Sequence, residues 1–236
     1  MELSAAISLL KEAYGPRGWW PLPSRAREGG RNEGGYLPLP SVFIGPGGSA
    51  ERARDRFEIA VGAVLAQNTA WRGASKAVVA LGRAGLLSPA RLLAFHEASL
   101  AELLRPAGTC ARKAGYLRIL AGVWESLDAG MPGRQELLAI KGIGTETADC
   151  ILLYCYGFPV FVADAYARRL LSRLGLSAPG ARYEELRSYA EARLPQDASC
   201  LAEAHALIVE HAKRRCKAKP LCASCPLAAH CVGKPG

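Results

Sequence analysis

Three groups of residues in this chain have types and spacings that could do chemistry. The first is Cys216-x5-Cys222-x2-Cys225-x5-Cys231, four thiols within sixteen residues. That is metal-centre spacing, because ligands on one short loop can converge on a single centre. Pro220 and Pro226 keep a regular helix from running through the segment and help it fold around a ball-shaped cofactor. Tetrahedral Zn2+ and a [4Fe–4S] cluster both suit four thiolates. The spacing favours iron–sulfur, since a zinc ribbon usually pairs two CxxC arms across a longer gap.

The second group is Leu137-x2-Ile140-Lys141-Gly142-Ile143-Gly144-Thr145-Glu146-Thr147-Ala148. Gly142 and Gly144 allow a tight turn between two helices and expose backbone N–H groups there. With the start of the next helix, those donors make a nest for a phosphate, and Lys141 adds a cation beside it. Ala148 leaves room for the first helix to pack close. Apolar residues at these offsets make the segment resemble a helix–hairpin–helix, a sequence-independent grip on a DNA backbone. The third group is Phe161-Val162-Ala163-Asp164-Ala165-Tyr166-Ala167-Arg168-Arg169. Asp164 suits an N-cap for a helix starting at Ala165, and a capping carboxylate has a fixed geometry that can also face a substrate.

The elements that must position these groups are helical. Phe57, Ala60, Val61, Val64 and Leu65 form one stripe of period near 3.6, and Trp71, Ala74, Val78 and Leu81 form another after Thr69, a candidate N-cap. Ser88-Pro89 opens a helix, and Ser99 with Glu102 reads as a capping box. Leu117, Leu120, Ala121, Trp124 and Leu127 mark a longer helix stopping before Gly130. Residues 182–194 and 197–215 are helical by the same test, no alternating strand survives, and the fold class is all-α. Residues 21–50 hold five Pro and seven Gly without amphipathic period and read as a long loop, disordered in part. Cys110, Cys150, Cys155 and Cys200 fall inside helical patterns as small buried hydrophobes in a reducing compartment.

The 236 residues are 50% hydrophobic, enough for a sizeable core, and 30 Lys and Arg face 21 Asp and Glu, a net charge of +9. That surplus suggests a polyanionic partner. No apolar run is long enough to span a membrane, and the start reads as a short amphipathic helix with an early acid, not a signal peptide.

Together the hairpin, the aspartate and the four-cysteine loop, in this order and spacing over residues 52–231, resemble the endonuclease III superfamily of DNA glycosylases. The resemblance implies a six-helix barrel with the hairpin (52–162), a second helical domain (1–21 and 163–236) carrying a [4Fe–4S] cluster on Cys216, Cys222, Cys225 and Cys231, and a Pro/Gly-rich loop (22–51). It also implies a lesion pocket between the two domains and extrusion of the target nucleotide from the duplex. Gln67, in Gln67-Asn68-Thr69, matches the residue that fills the gap so left, and Asp164 matches the catalytic aspartate. Lys141, Gly142, Gly144, Thr145, Arg169 and Lys217 are the further expected DNA contacts.

Within the superfamily, bifunctional members carry a Schiff-base lysine where this chain has Glu146, and a carboxylate cannot form an imine. Tyr166 stands where endonuclease III has His, and the first cysteine gap is five residues where endonuclease III has six. Gly18-Trp19-Trp20-Pro21, Ala63-Val-Leu-Ala-Gln-Asn-Thr69 followed by an aromatic, Arg105-Pro106-Ala107-Gly108, Gly144-x-Glu146-x-Ala148-Asp149 and Val162-x-Asp164-x-Tyr166 resemble the endonuclease III-like 3-methyladenine DNA glycosylases. The expected base pocket comprises Trp19, Trp20, Pro21, Trp71, Glu146 and Tyr166, where an indole face attracts a cationic alkylated base. The expected activity is monofunctional hydrolysis of alkylated purines from double-stranded DNA containing damaged bases, by a monomer in the bacterial cytoplasm, without a membrane partner. Two other readings are a bifunctional glycosylase/lyase for oxidised pyrimidines and a non-catalytic iron–sulfur DNA-binding protein.

Overall fold

A computed structural model describes residues 1–36 and 49–233 of the chain. All regular structure among these residues is helical. The α-helices are α1 (Leu3–Tyr14), α2 (Ala50–Ala66), α3 (Trp71–Arg83), α4 (Pro89–Ala94), α5 (Glu97–Leu103), α6 (Cys110–Gly130), α7 (Arg134–Leu138), α8 (Thr145–Tyr156), α9 (Ala165–Arg173), α10 (Tyr183–Glu191) and α11 (Ala198–Arg214). No described helix is long and apolar enough to cross a membrane. The chain divides into two compact units. Among the described residues, one takes 1–19 and 159–233 and the other 20–36 and 49–158.

The larger unit is built around α2, buried without a break from Asp55 to Leu65. A helix covered on every side belongs at the centre of a domain, and α3, α6 and α8 pack against it. Its buried polar members, Asp55, Arg56 and Glu58, are all paired, as burial demands. Arg56 grips Asp128 with Nε and Nη2 at 2.5 and 2.7 Å, and the Tyr156 hydroxyl donates to the same carboxylate at 2.9 Å. The Asp55 carboxylate accepts from Arg25, and Glu58 accepts from the Ser24 amide at 2.9 Å. Burial pushes the Glu58 carboxyl above its ordinary value. These bonds fasten residues 22–36, read as loop, onto α2, with a 3-10 turn at Pro23–Arg25 and Leu22 buried. The remainder of the Pro/Gly-rich stretch, 37–48, lies outside the described residues.

Two capping expectations fail. The N-cap of α3 is Ala70, because the Thr69 hydroxyl is used elsewhere, and Ser99 sits inside α5, whose N-cap is His96. In the smaller unit α1 packs on α11, and α9 on both α10 and α11. Asp197 caps α11 through Cys200 N at 2.9 Å. Of the four cysteines outside the C-terminal run, Cys150 and Cys155 are buried, whereas Cys110 is half-buried and Cys200 exposed.

Candidate active site

The helix–hairpin–helix comprises α7, the turn 139–144 and α8. Leu137, Ile143 and Ala148 are buried, and Arg134 on α7 grips the fully buried Asp149 of α8 at 2.7 and 3.1 Å, joining the two helices. Lys141 and Gly144 are exposed at the tip, where α8 begins. The two glycines have different reasons. Gly142 has φ +97°, and a Cβ there would lie 2.4 Å from the Tyr116 ring. At Gly144 a Cβ would meet nothing, and φ is −95°. Gly142→Ala is therefore expected to destabilise the protein by about 1–3 kcal/mol, while Gly144→Ala is tolerated. Thermal unfolding of both variants measures this; equal melting temperatures would contradict it.

A cleft beside the hairpin is lined by Gln67, Asn68, Tyr116 and residues 142–147. Gln67 Nε2 donates to Gly142 O at 2.8 Å and Thr147 Oγ1 at 3.0 Å, so the candidate gap-filling side chain rests on the hairpin. Thr145 and Glu146 open α8 at the same cleft. On the same unit Trp20 meets Trp71 edge-on and Tyr154 at a tilt, both with ring centroids 5.2 Å apart. The built Cβ of Gly62 would come 3.3 Å from Trp20 Nε1, so a glycine on α2 makes room for the indole. Tyr154 was not anticipated. Its only sequence signal is an aromatic on a buried helix.

In the smaller unit Asp164 is the N-cap of α9, with Oδ1 accepting from Ala167 N at 2.7 Å. Its Oδ2 lies 3.6 Å from His205 Nε2. Trp19, 4% exposed, packs edge-on to His205 with centroids 6.2 Å apart. The tandem tryptophans thus divide, Trp19 to a buried place behind Asp164 and Trp20 to the aromatic group of the larger unit. Tyr166 lies half-buried under the Arg169 guanidinium at 5.2 Å. Arg169 spends its Nε on Cys216 O at 2.7 Å, so this expected DNA contact has a structural partner in the cysteine loop.

Cys216, Cys222, Cys225 and Cys231 line one cavity, walled by Leu170, Leu174, Leu227, His211 and Arg173. Arg173 Nη1 lies 3.2 Å from Cys216 Sγ and 2.7 Å from Lys217 O, with Nη2 3.0 Å from Ala218 O. Burial pushes the Cys225 thiol up, with the three other cysteines adding to the effect. His211, which pairs with the Tyr14 hydroxyl at 2.9 Å, is driven down to about 4 by burial and by Arg215. Among the described residues no group of three or more His, Cys, Asp or Glu is placed to hold a metal ion. Lys217 and Lys219 on the same loop are exposed.

A helix–hairpin–helix in an all-helical body, followed by a helix-capping aspartate, is the arrangement of the DNA-repair glycosylases. The chain belongs to the HhH-GPD superfamily of base excision DNA repair proteins, which it matches over residues 61–196. It is 35% identical over 206 residues to the protein called "Putative DNA repair glycosylase MJ1434" of Methanocaldococcus jannaschii, covering 83% of this chain and 80% of that one. It is 30% identical over 152 residues to Endonuclease III of Sulfolobus acidocaldarius, covering 62% and 68% of the two chains. Among solved structures, a non-covalent endonuclease III–DNA complex aligns with a TM-score of 0.69 and 23% identity over 75% of this chain and 83% of that one. The H. pylori 3-methyladenine DNA glycosylase bound to 1,N6-ethenoadenine aligns with a TM-score of 0.69 and 24% identity over 91% and 98%. At these identities the structural likeness concerns the fold. The protein is a base excision repair DNA glycosylase.

Proposed function

We propose that the protein is a monofunctional glycosylase that extrudes alkylated purines of the 3-methyladenine type from duplex DNA and hydrolyses their N-glycosidic bond. The observation that carries this reading is the lining of the hairpin cleft: among its described residues stands Glu146 and no amine. The nearby Lys113 ammonium is buried and holds three acceptors. Covalent attack on the sugar needs a free amine. Lys141, exposed at the hairpin tip, is read as a phosphate contact, and with no amine among the described residues lining the cleft the nucleophile is a water. The Trp20, Trp71 and Tyr154 group supports a cationic base, because an aromatic face attracts such a ring by about 0.5–2 kcal/mol.

Asp164 supplies the charge. Its bond to Ala167 N fixes the carboxylate plane, leaving it to stabilise the sugar as it becomes oxocarbenium-like and to orient the attacking water. The C1′–N bond breaks with its electron pair going to the base, so a cationic base leaves neutral. The water oxygen bonds C1′, and its proton passes through the carboxylate to solvent. Gln67, Lys141, the hairpin amides and Lys217 would hold the duplex through its gap and its phosphates.

The C-terminal thiols fit a [4Fe–4S] cluster. All four line one largely apolar cavity, and four thiolates gathered on one loop suit such a centre. When bound, the cluster supplies a structural cross-link. Arg169 and Arg173 hold the loop's carbonyls, and the loop displays Lys217 and Lys219.

A second reading, a glycosylase/lyase, draws on the Sulfolobus relative named Endonuclease III. One experiment separates the two. Pure protein incubated with alkylated DNA is expected to release methylated purines and leave strands that break only with alkali, and borohydride is expected to trap no protein–DNA adduct. An efficient adduct would defeat the monofunctional reading, and oxidised pyrimidines as the only released bases would defeat the lesion class.

A further inference from the structure

The hydrolytic scheme makes no use of Lys113, yet an ammonium withdrawn from water is expensive to keep. The side chain is 2% exposed, on the core stripe of α6 with Leu117, Leu120 and Trp124. Its Nζ donates to Leu65 O at 2.8 Å, to Ala107 O at 2.8 Å and to Thr69 Oγ1 at 2.7 Å. An ammonium has three N–H donors and here three acceptors; a neutral amine has only two donors to offer them. The acceptors are two carbonyls and a hydroxyl, so this is a cation site made from neutral groups. Leu65 lies in the last turn of α2, and Ala107 ends the 3-10 turn Arg105–Ala107. Carbonyls at such ends carry the negative pole of the helix dipole and favour a cation.

These bonds all meet at one place. The Thr69 hydroxyl accepts from Lys113 and donates to Ala107 O, with Gln67 O 3.1 Å away. The turn Gln67-Asn68-Thr69 is thereby fastened to residues 105–107 and to the end of α2. Asn68, exposed at its tip, has φ +50°. A non-glycine residue keeps that conformation only where its surroundings impose it. Core stability alone would be served as well by an apolar side chain at position 113, since buried charges can often be replaced that way without loss.

We propose that Lys113 is a positioning residue for DNA engagement, holding the Gln67–Thr69 turn in the conformation from which Gln67 enters the gap left by the extruded nucleotide. This rests on the reading of Gln67 as the gap-filling side chain. On engagement Gln67 exchanges its bonds to Gly142 and Thr147 for contacts in the base stack, while the clamp beneath it stays closed.

The test uses the full-length protein and two duplexes, one intact and one with a tetrahydrofuran abasic analogue opposite 2-aminopurine. The ratio of their Kd values measures gap recognition, and 2-aminopurine fluorescence reports unstacking of the orphan base. Gln67→Ala is expected to lower the ratio about tenfold, the equivalent of one lost stacking contact. Lys113→Met is expected to lower it comparably and to abolish the fluorescence change, with intact-duplex affinity within about twofold, and the double variant to be no worse than the lower single one. Thr69→Val, which cuts only the hydroxyl link, is expected to shift the ratio in the same direction and carries the test if Lys113→Met does not fold. A wild-type ratio in Lys113→Met (or in Thr69→Val as its substitute), equal weakening on both duplexes, or fully additive losses would overturn the proposal while leaving the Gln67 reading intact. A wild-type ratio in Gln67→Ala would overturn the gap-filling reading, and the proposal with it.

Discussion

Asp164→Asn is expected to slow excision of an alkylated purine by about 10²- to 10⁴-fold while leaving affinity for lesion-bearing DNA within about twofold. Asn caps a helix about as well as Asp, so the bond from Ala167 N and the start of α9 survive the exchange. What disappears is the negative charge that the developing sugar cation requires, and with it the group that takes the water's proton. The interaction is strongest in the transition state, so the loss belongs in the chemical step and not in binding. Single-turnover excision and equilibrium binding on the same duplex separate the two. Excision within about tenfold of wild type would remove Asp164 from the chemistry. Asp164→Ala provides the contrast, since it should also cost about 1 kcal/mol of stability through the lost cap.

Cys222→Ser is expected to strip the bound metal and unfold the segment after α11. Metal binding in so small a loop is a large part of its folding free energy, about 10 kcal/mol or more for structural sites, and residues 215–233 contain no α-helix of their own to replace it. Wild-type protein purified without air should contain iron and sulfide and absorb in the visible; stoichiometric zinc without iron would reject the cluster. In the variant, limited proteolysis should cut first within 215–233. Protection of that segment equal to wild type would show that Arg169 and Arg173 hold the loop unaided.

The chemistry-bearing motifs were legible because each is short and its geometry is local. A positive-φ glycine between two helices, an Asp one residue before a helix and thiols spaced on a loop require few distant partners. Gly142, Asp164 and the cysteines could therefore be read from neighbours alone. The Ser99–Glu102 pattern misled for the complementary reason. A capping box is also an ordinary pair on one face of a helix, and the bond from Leu100 N to His96 O at 2.9 Å places the start of α5 earlier. Lys113 and His205 escaped because each sits where an apolar residue would be expected on its stripe, 113-117-120-124 on α6 and 201-205-208-212 on α11. A polar residue on such a stripe is a signal in itself, but its partners include Leu65 and Thr69 for Lys113 and Asp164 for His205, all far away in sequence. The difference between Trp19 and Trp20 could not be read at all, since adjacent side chains leave the backbone in different directions and the sequence does not say which way each one turns.

Gly142 has one more consequence. The direction in which a Cβ would strike Tyr116 is held instead by one of the glycine's two α-hydrogens, close over the face of the aromatic ring. Circulating π-electrons shield a nucleus in that position, so this proton resonates well upfield of its geminal partner. The hairpin thus contains its own magnetic label, a single resolved signal whose frequency follows the distance between the turn and α6.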